Sequence, residues 1–138
     1  MLRLAELTPA DRVYDLGCGD GRLLLQAALT YGASGVGIDV DAGLLELARA
    51  KAEAVGLGNR LTFIQGDLFT SDLQSATVVL IYLLPHLNLR LRPRLLNQLR
   101  PGSRIISHQF DMGDWLPETT LKLNPSEEDS ILYRWRIP

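Results

Sequence analysis

Val13-Tyr14-Asp15-Leu16-Gly17-Cys18-Gly19-Asp20-Gly21-Arg22 is the stretch on which the reading of this chain turns. Its first half, with Arg12 before it, has the residue types of a short buried strand. Three glycines at alternate positions follow, and Arg22 to Tyr31 then sets Leu24, Ala27 and Ala28 along one side of a helix. Strand, glycine turn and helix in that order let backbone approach a ligand where any side chain would intrude, with the unpaired N–H groups of the helix beyond. The spacing Gly-x-Gly-x-Gly departs from the Gly-x-Gly-x-x-Gly dinucleotide fingerprint, whose third glycine would fall on Arg22. Asp15 and Asp20 would repel a pyrophosphate, whereas a carboxylate two residues before Gly17 suits a ligand bearing an ammonium group. The alternative reading is a strand-to-helix turn that binds nothing.

Outward from this unit the hydrophobic period switches repeatedly. Gly35 to Asp39 reads as a second strand, and Asp41 as the N-cap of a helix whose apolar face is Leu44, Leu45, Leu47, Ala48 and Ala52, stopped near Gly56. Leu61 to Gln65 gives a third strand, ended by Gly66-Asp67. Ala76 to Tyr82 is a continuous apolar run suited to a strand buried on both faces. Pro93 fits the first turn of a helix running through Leu99, because proline lacks the N–H that an interior position donates. Ser103 to Ser107 is a fifth strand, and Thr119–Leu123 with Ile131–Ile137 closes an antiparallel hairpin around Asn124-Pro125-Ser126. The alternation predicts an α/β fold: a doubly wound, mostly parallel sheet with a C-terminal antiparallel hairpin. Ligands of such sheets bind beyond the carboxyl ends of the strands, where the strand order reverses.

With 138 residues, 46% hydrophobic and 22% charged, the chain has the composition of a folded protein and the length of one domain, residues 1–138. No apolar run reaches the ~18 residues of a membrane span. Arg3 and Glu6 interrupt the N-terminal stretch where a signal peptide would be continuously apolar. One cysteine, Cys18, excludes an internal disulfide and a cysteine-based zinc site, and no metal is expected; a reducing, cytoplasmic setting is. The net charge of −2 hides an asymmetry, because residues 73–110 carry five arginines (Arg90, Arg92, Arg94, Arg100, Arg104) and no acid. That segment could attract RNA, or form a solvated helix face or a self-association surface in a homo-oligomer; no aromatic residue alternates with the arginines to stack on bases.

Asp39 ends the second strand directly after Ile38, where a carboxylate can accept two hydrogen bonds from a ribose diol. Asp67 follows the third strand in Gln65-Gly66-Asp67-Leu68. Asp15, Asp39 and Asp67 after three successive strands, with the glycine loop, resemble class I (seven-strand, Rossmann-like) S-adenosylmethionine-dependent methyltransferases. With Arg104-Ile105-Ile106-Ser107-His108-Gln109-Phe110 and Trp115, the chain looks closest to small prokaryotic methyltransferases similar to the mitochondrial protein-lysine methyltransferases, from about Val13 to Trp115. The resemblance implies S-adenosylmethionine as cofactor, with Asp15 at its amino-acid part, the backbone of Gly17, Cys18, Gly19 and Gly21 against the sulfonium nucleoside, Asp39 at the ribose with Val40 beside it, Asp67 at the adenine amino group with Leu68 on the ring, and Tyr82 beside the methyl group. It implies a macromolecular acceptor, a protein lysine ahead of RNA. From their places after the fourth and fifth strands, Tyr82, Pro85, His86, His108, Phe110 and Trp115 read as pocket residues. Phe110 and Trp115 could wrap an alkylammonium or pack beneath a loop, and either histidine could take a proton or line the pocket. Cys18 reads as a small loop residue, since no histidine is near in sequence to activate it. Tyr82-Leu83-Leu84-Pro85 stands where amino-methylating enzymes acting on adenine or glutamine carry Asn/Asp-Pro-Pro-Tyr, so that chemistry is not expected. Little sequence precedes the first strand, and Gln109–Glu118 is too short and too broken for a long fifth helix; an open or partner-completed site is the expectation, with a non-catalytic cofactor-binding module as the competing reading.

Overall fold

Val78-Val79-Leu80-Ile81 shows how this chain builds its core. All four residues are buried, with Val78 and Leu80 turned into one apolar cluster and Val79 and Ile81 into another. Alternate residues of a strand face opposite ways, so an apolar run without polar interruption requires a sheet covered on both sides. In the computed structural model, which describes residues 1–123 and 130–138, that sheet has seven strands. They are β1 (Arg12–Leu16), β2 (Ser34–Asp39), β3 (Leu61–Gln65), β4 (Val78–Ile81), β5 (Arg104–His108), β6 (Thr119–Lys122) and β7 (Ile131–Arg136). Their order is β3-β2-β1-β4-β5-β7-β6. The first five are parallel, and β7 inserts antiparallel between β5 and β6. The doubly wound sheet and its antiparallel hairpin are therefore as expected; the turn at Asn124-Pro125-Ser126 lies outside the described residues.

Helices α2 (Arg22–Tyr31) and α3 (Ala42–Ala54) cover the side of the first cluster. Asp41 caps α3 as expected, its carboxylate accepting from the Leu44 N–H at 3.1 Å. Of the anticipated apolar face, Leu45, Ala48 and Ala52 are buried, while Leu44 and Leu47 are largely exposed. Positions 45, 48 and 52 share one stripe of a helix, and 44 and 47 fall to its side.

Helix α4 (Pro85–Gln98) corrects the reading of Pro93. Pro85 holds the first-turn place, and Pro93 lies inside the helix on its exposed side, where water can bond the carbonyl that proline leaves unpaired. Its buried stripe is Asn88, Leu91 and Leu95. Among the described residues no helix joins β5 to β6; Met112 and Trp115 make a single bridge in that connection. A short helix not foreseen, α1 (Leu2–Ala5), buries Leu2 and Ala5 in the first cluster. Arg134 of β7 fastens it, donating to the Leu4 carbonyl at 2.8 Å and pairing with Glu6 and Glu118. Among the described residues, no helix is long and apolar enough to cross a membrane.

Candidate active site

Strand order reverses on either side of β1, with β2 and β3 to one side and β4 and β5 to the other. The chain after β1 is the glycine loop, so the crevice opens there. Gly17 and Gly19 take left-handed backbone angles, and nothing stands within 4 Å of where a Cβ would be. Gly21 is different in kind. At φ +80° it caps α2, and a Cβ would lie 2.8 Å from the Phe63 ring and 3.0 Å from Ala48. Gly21 thus seats the loop on β3 and α3, and its place is under the loop, not in the cavity. Gly21→Ala is expected to cost about 1–3 kcal/mol from overpacking, with added backbone strain; thermal unfolding reads it, and an unchanged midpoint would contradict the packing.

A cavity of about 450 Å³ lies over the loop, bounded by Asp15, Gly17, Cys18, Gly19 and Asp20 on one side, by Ile81, Tyr82 and His108 at the ends of β4 and β5, and by Met1, Leu123 and Leu132. Asp15 is the chemically distinctive group there. It is only 6% exposed, and no hydrogen-bond donor among the described residues reaches its carboxylate. Burial, with a smaller contribution from the charge of Asp39, pushes it up to about 7. A buried, unpartnered carboxylate facing a cavity calls for a cation.

Asp39 does more than the sequence disclosed. One of its oxygens accepts from the Gly19 N–H and the other from the Asp41 N–H, both at 2.9 Å. It fixes the glycine loop against the end of β2 and keeps a second lone pair on each oxygen for a ligand. Val40 beside it is 72% exposed. Asp67 is exposed and accepts from the Phe69 N–H at 2.8 Å, while Leu68 packs on the second cluster. Asp20 is held well below the usual carboxylate range by hydrogen bonds from Arg22 and Lys51. Lys51 reaches it from α3 at 2.9 Å, a contact 31 residues distant that no local pattern announces. Burial and the charges of Asp15 and Asp39 push the Cys18 thiol up to about 12, which keeps it protonated and a poor nucleophile.

On the far side Tyr82, 61% exposed, meets the His108 ring edge-on at 4.3 Å, with Phe110 6.5 Å from Tyr82. Pro85 and His86 are exposed in the first turn of α4, and neither lines the cavity. Trp115 does not join the aromatic group. It tilts against Trp135 at 6.0 Å, and its carbonyl accepts from the Trp135 indole N–H. Its ring is partly buried against the second cluster, and its backbone supplies the acceptor that the buried Trp135 indole needs.

The arginines also separate. Arg104 pairs with buried Asp11 at 2.7 Å, Arg92 pairs with Asp114, Arg94 donates to the Ser71 carbonyl, and Arg90 lies over the Phe69 ring at 4.1 Å. Four of the five are engaged within the fold, so they do not make one free basic face.

A doubly wound sheet of this order, with a glycine loop after β1, an ammonium-seeking carboxylate ahead of it and acids ending β2 and β3, defines the class I S-adenosylmethionine-dependent methyltransferases. The model of the ANTKMT methyltransferase domain matches residues 15–119, and the chain belongs to that family. A protein-lysine N-methyltransferase of Saccharolobus islandicus is 35% identical over 138 residues, covering 99% of this chain and 86% of that protein. The adenine nucleotide translocase lysine N-methyltransferase of Mus musculus is 29% identical over 77% of this chain, which spans 46% of that protein's length. Among solved structures, an RNA methyltransferase from Salinibacter ruber in complex with S-adenosyl-L-homocysteine superposes with a TM-score of 0.94 at 49% identity, covering 99% of this chain and 87% of that one.

Proposed function

We propose that the protein methylates a lysine side chain of a protein substrate, with residues 1–138 acting as one domain in a reducing, cytoplasmic setting. The observation that carries the reading is the edge-on pair of Tyr82 and His108 lining the same cavity as the Asp15 carboxylate, with the Phe110 ring 6.5 Å from Tyr82 behind them. Ring faces attract an alkylammonium chain, and the carboxylate suits the amino group of a cofactor's amino-acid part. The residues fit S-adenosylmethionine: Asp15 for the ammonium, the open backbone at Gly17 and Gly19 for the nucleoside's approach, Asp39 with Val40 beside it for the ribose, and Asp67 with Leu68 for the base. When bound, the cofactor supplies an electrophilic methyl group on a sulfonium. The protein's part is to hold an unprotonated amine in line with that methyl beside Tyr82, and orientation alone is worth about 7–11 kcal/mol. His108 lines the cavity and His86 does not, which supports His108 over His86 as the histidine beside the acceptor.

RNA as acceptor is the second reading, favoured by the 49% identity to the Salinibacter ruber RNA methyltransferase. The internal engagement of four arginines weighs against it. Methyl-labelled cofactor offered with lysine peptides and with RNA separates the two: label on lysine supports the first, and label on RNA with binding that falls steeply with salt replaces it. Asp39→Ala is expected to weaken cofactor binding by about 1–3 kcal/mol, through lost hydrogen bonds to a charged group. Calorimetry giving equal affinity for both proteins would remove Asp39 from the site.

A further inference from the structure

Asn88 is a fully buried polar residue on the apolar stripe of α4. Its side-chain N–H₂ group reaches the Phe110 carbonyl at 3.2 Å, the Asp111 carbonyl at 3.1 Å and the Ser107 hydroxyl at 3.4 Å. The Ser107 hydroxyl in turn donates to the Phe110 carbonyl at 2.6 Å. The other end of the carboxamide, Oδ1, is buried without a hydrogen bond among the described residues. Leaving that acceptor orphaned is destabilising, so the asparagine at the end of a stripe it shares with buried Leu91 and Leu95 is there for the carbonyls it holds.

What Asn88 joins gives the reason. Helix α4 follows β4 at a distance of three residues, the first of which is Tyr82. The loop that Asn88 grips follows directly on His108, the last residue of β5, and carries Gln109 and Phe110, with Gln109 at a left-handed φ of 76° that only the surroundings can hold. The carboxamide therefore bridges the two walls of the opening through which an acceptor must come. Resting on the methyltransferase reading above, we propose that Asn88 is a positioning residue for methyl transfer: it sets the spacing of Tyr82 from His108 and Phe110 and touches neither cofactor nor acceptor.

The test has two arms. With S-adenosyl-L-homocysteine as probe, calorimetry on Asn88→Ala is expected to give an affinity within about twofold of wild type, while turnover on the acceptor that wild type labels falls about 10- to 100-fold, the loss expected of a small misplacement. The second arm needs no acceptor. The His108 imidazole resonance, identified in a His86→Gln background, feels the Tyr82 ring at 4.3 Å and is expected to shift in Asn88→Ala. Ser107→Ala, which removes both hydrogen bonds of the Ser107 hydroxyl but leaves Asn88 its two carbonyls, is expected to move both readouts the same way by less, and it stands in if Asn88→Ala does not fold. Turnover within twofold of wild type, or an unmoved His108 resonance, overturns the proposal. Wild type that labels neither lysine nor RNA counts against the acceptor reading alone, and the resonance then decides for or against Asn88.

Discussion

Asp15→Asn is expected to move stability and cofactor affinity in opposite directions. In the free protein the Asp15 carboxyl stays protonated to about pH 7 because burial, and then Asp39, oppose its charge. The unfolded chain ionises it near pH 4. Between those values the folded state binds the extra proton, so the group's contribution is present below pH 4 and is lost as pH rises through 7. The slope is at most about 1.4 kcal/mol per pH unit, or about 4 kcal/mol over the window. Asparagine cannot ionise. The variant should therefore match wild type near pH 4 and exceed it at pH 8 in urea unfolding without ligand. Binding runs the other way, since an ammonium that pairs with ionised Asp15 finds only an amide; affinity for S-adenosylmethionine should fall by about 2–5 kcal/mol. Parallel stability curves for the two proteins from pH 4 to 8 would refute the burial argument, and equal affinities would refute the pairing.

Asp11→Ala is expected to be the most destabilising single change away from the site. Asp11 lies at the start of β1, accepting from the Thr8 N–H at 2.9 Å and the Thr77 hydroxyl at 2.7 Å and pairing with Arg104. Burial alone would raise its pKa, but Thr77, Thr8 and Arg104 together hold it below the usual carboxylate range. Its contribution is thus present at neutral pH and fades as pH falls through that range. Removing it strands the Arg104 guanidinium, whose side chain is 17% exposed, and breaking such a pair costs about 3–5 kcal/mol. The melting midpoint should drop by roughly 10–20 °C. The double variant with Arg104→Ala should lose less than the sum of the single changes, because the two losses share one interaction; strict additivity would show that the pair contributes nothing as a pair.

Which parts of this molecule could be read from the chain follows from how local their causes are. The glycine loop, the buried run of β4 and the Asp41 cap each depend on neighbours within a few residues, and all three are legible. Pro93 misled because two prolines compete for one helix, and only the packing of Asn88, Leu91 and Leu95 shows that the helix starts at Pro85. The arginine-rich segment read as a surface because its partners, Asp11 above all, stand far away in sequence. Asn88 left one signal, a polar residue three before Leu91 and seven before Leu95 on an otherwise apolar stripe. Trp115 reads as a pocket residue from its place after β5, but its contact with Trp135 depends on a strand that returns 20 residues later.

The insertion of β7 between β5 and β6 imposes an order of assembly. As the chain is made, the parallel part of the sheet through β5 can form with every strand paired, but β6 emerges with no neighbour to receive it, since among the described strands its sole partner is β7. Arg134, which fastens α1, and Leu132, which bounds the cavity, both belong to β7. A nascent chain thus acquires its glycine loop before β7 is made, and the cavity gains the wall at Leu132 only after β7 has joined the sheet.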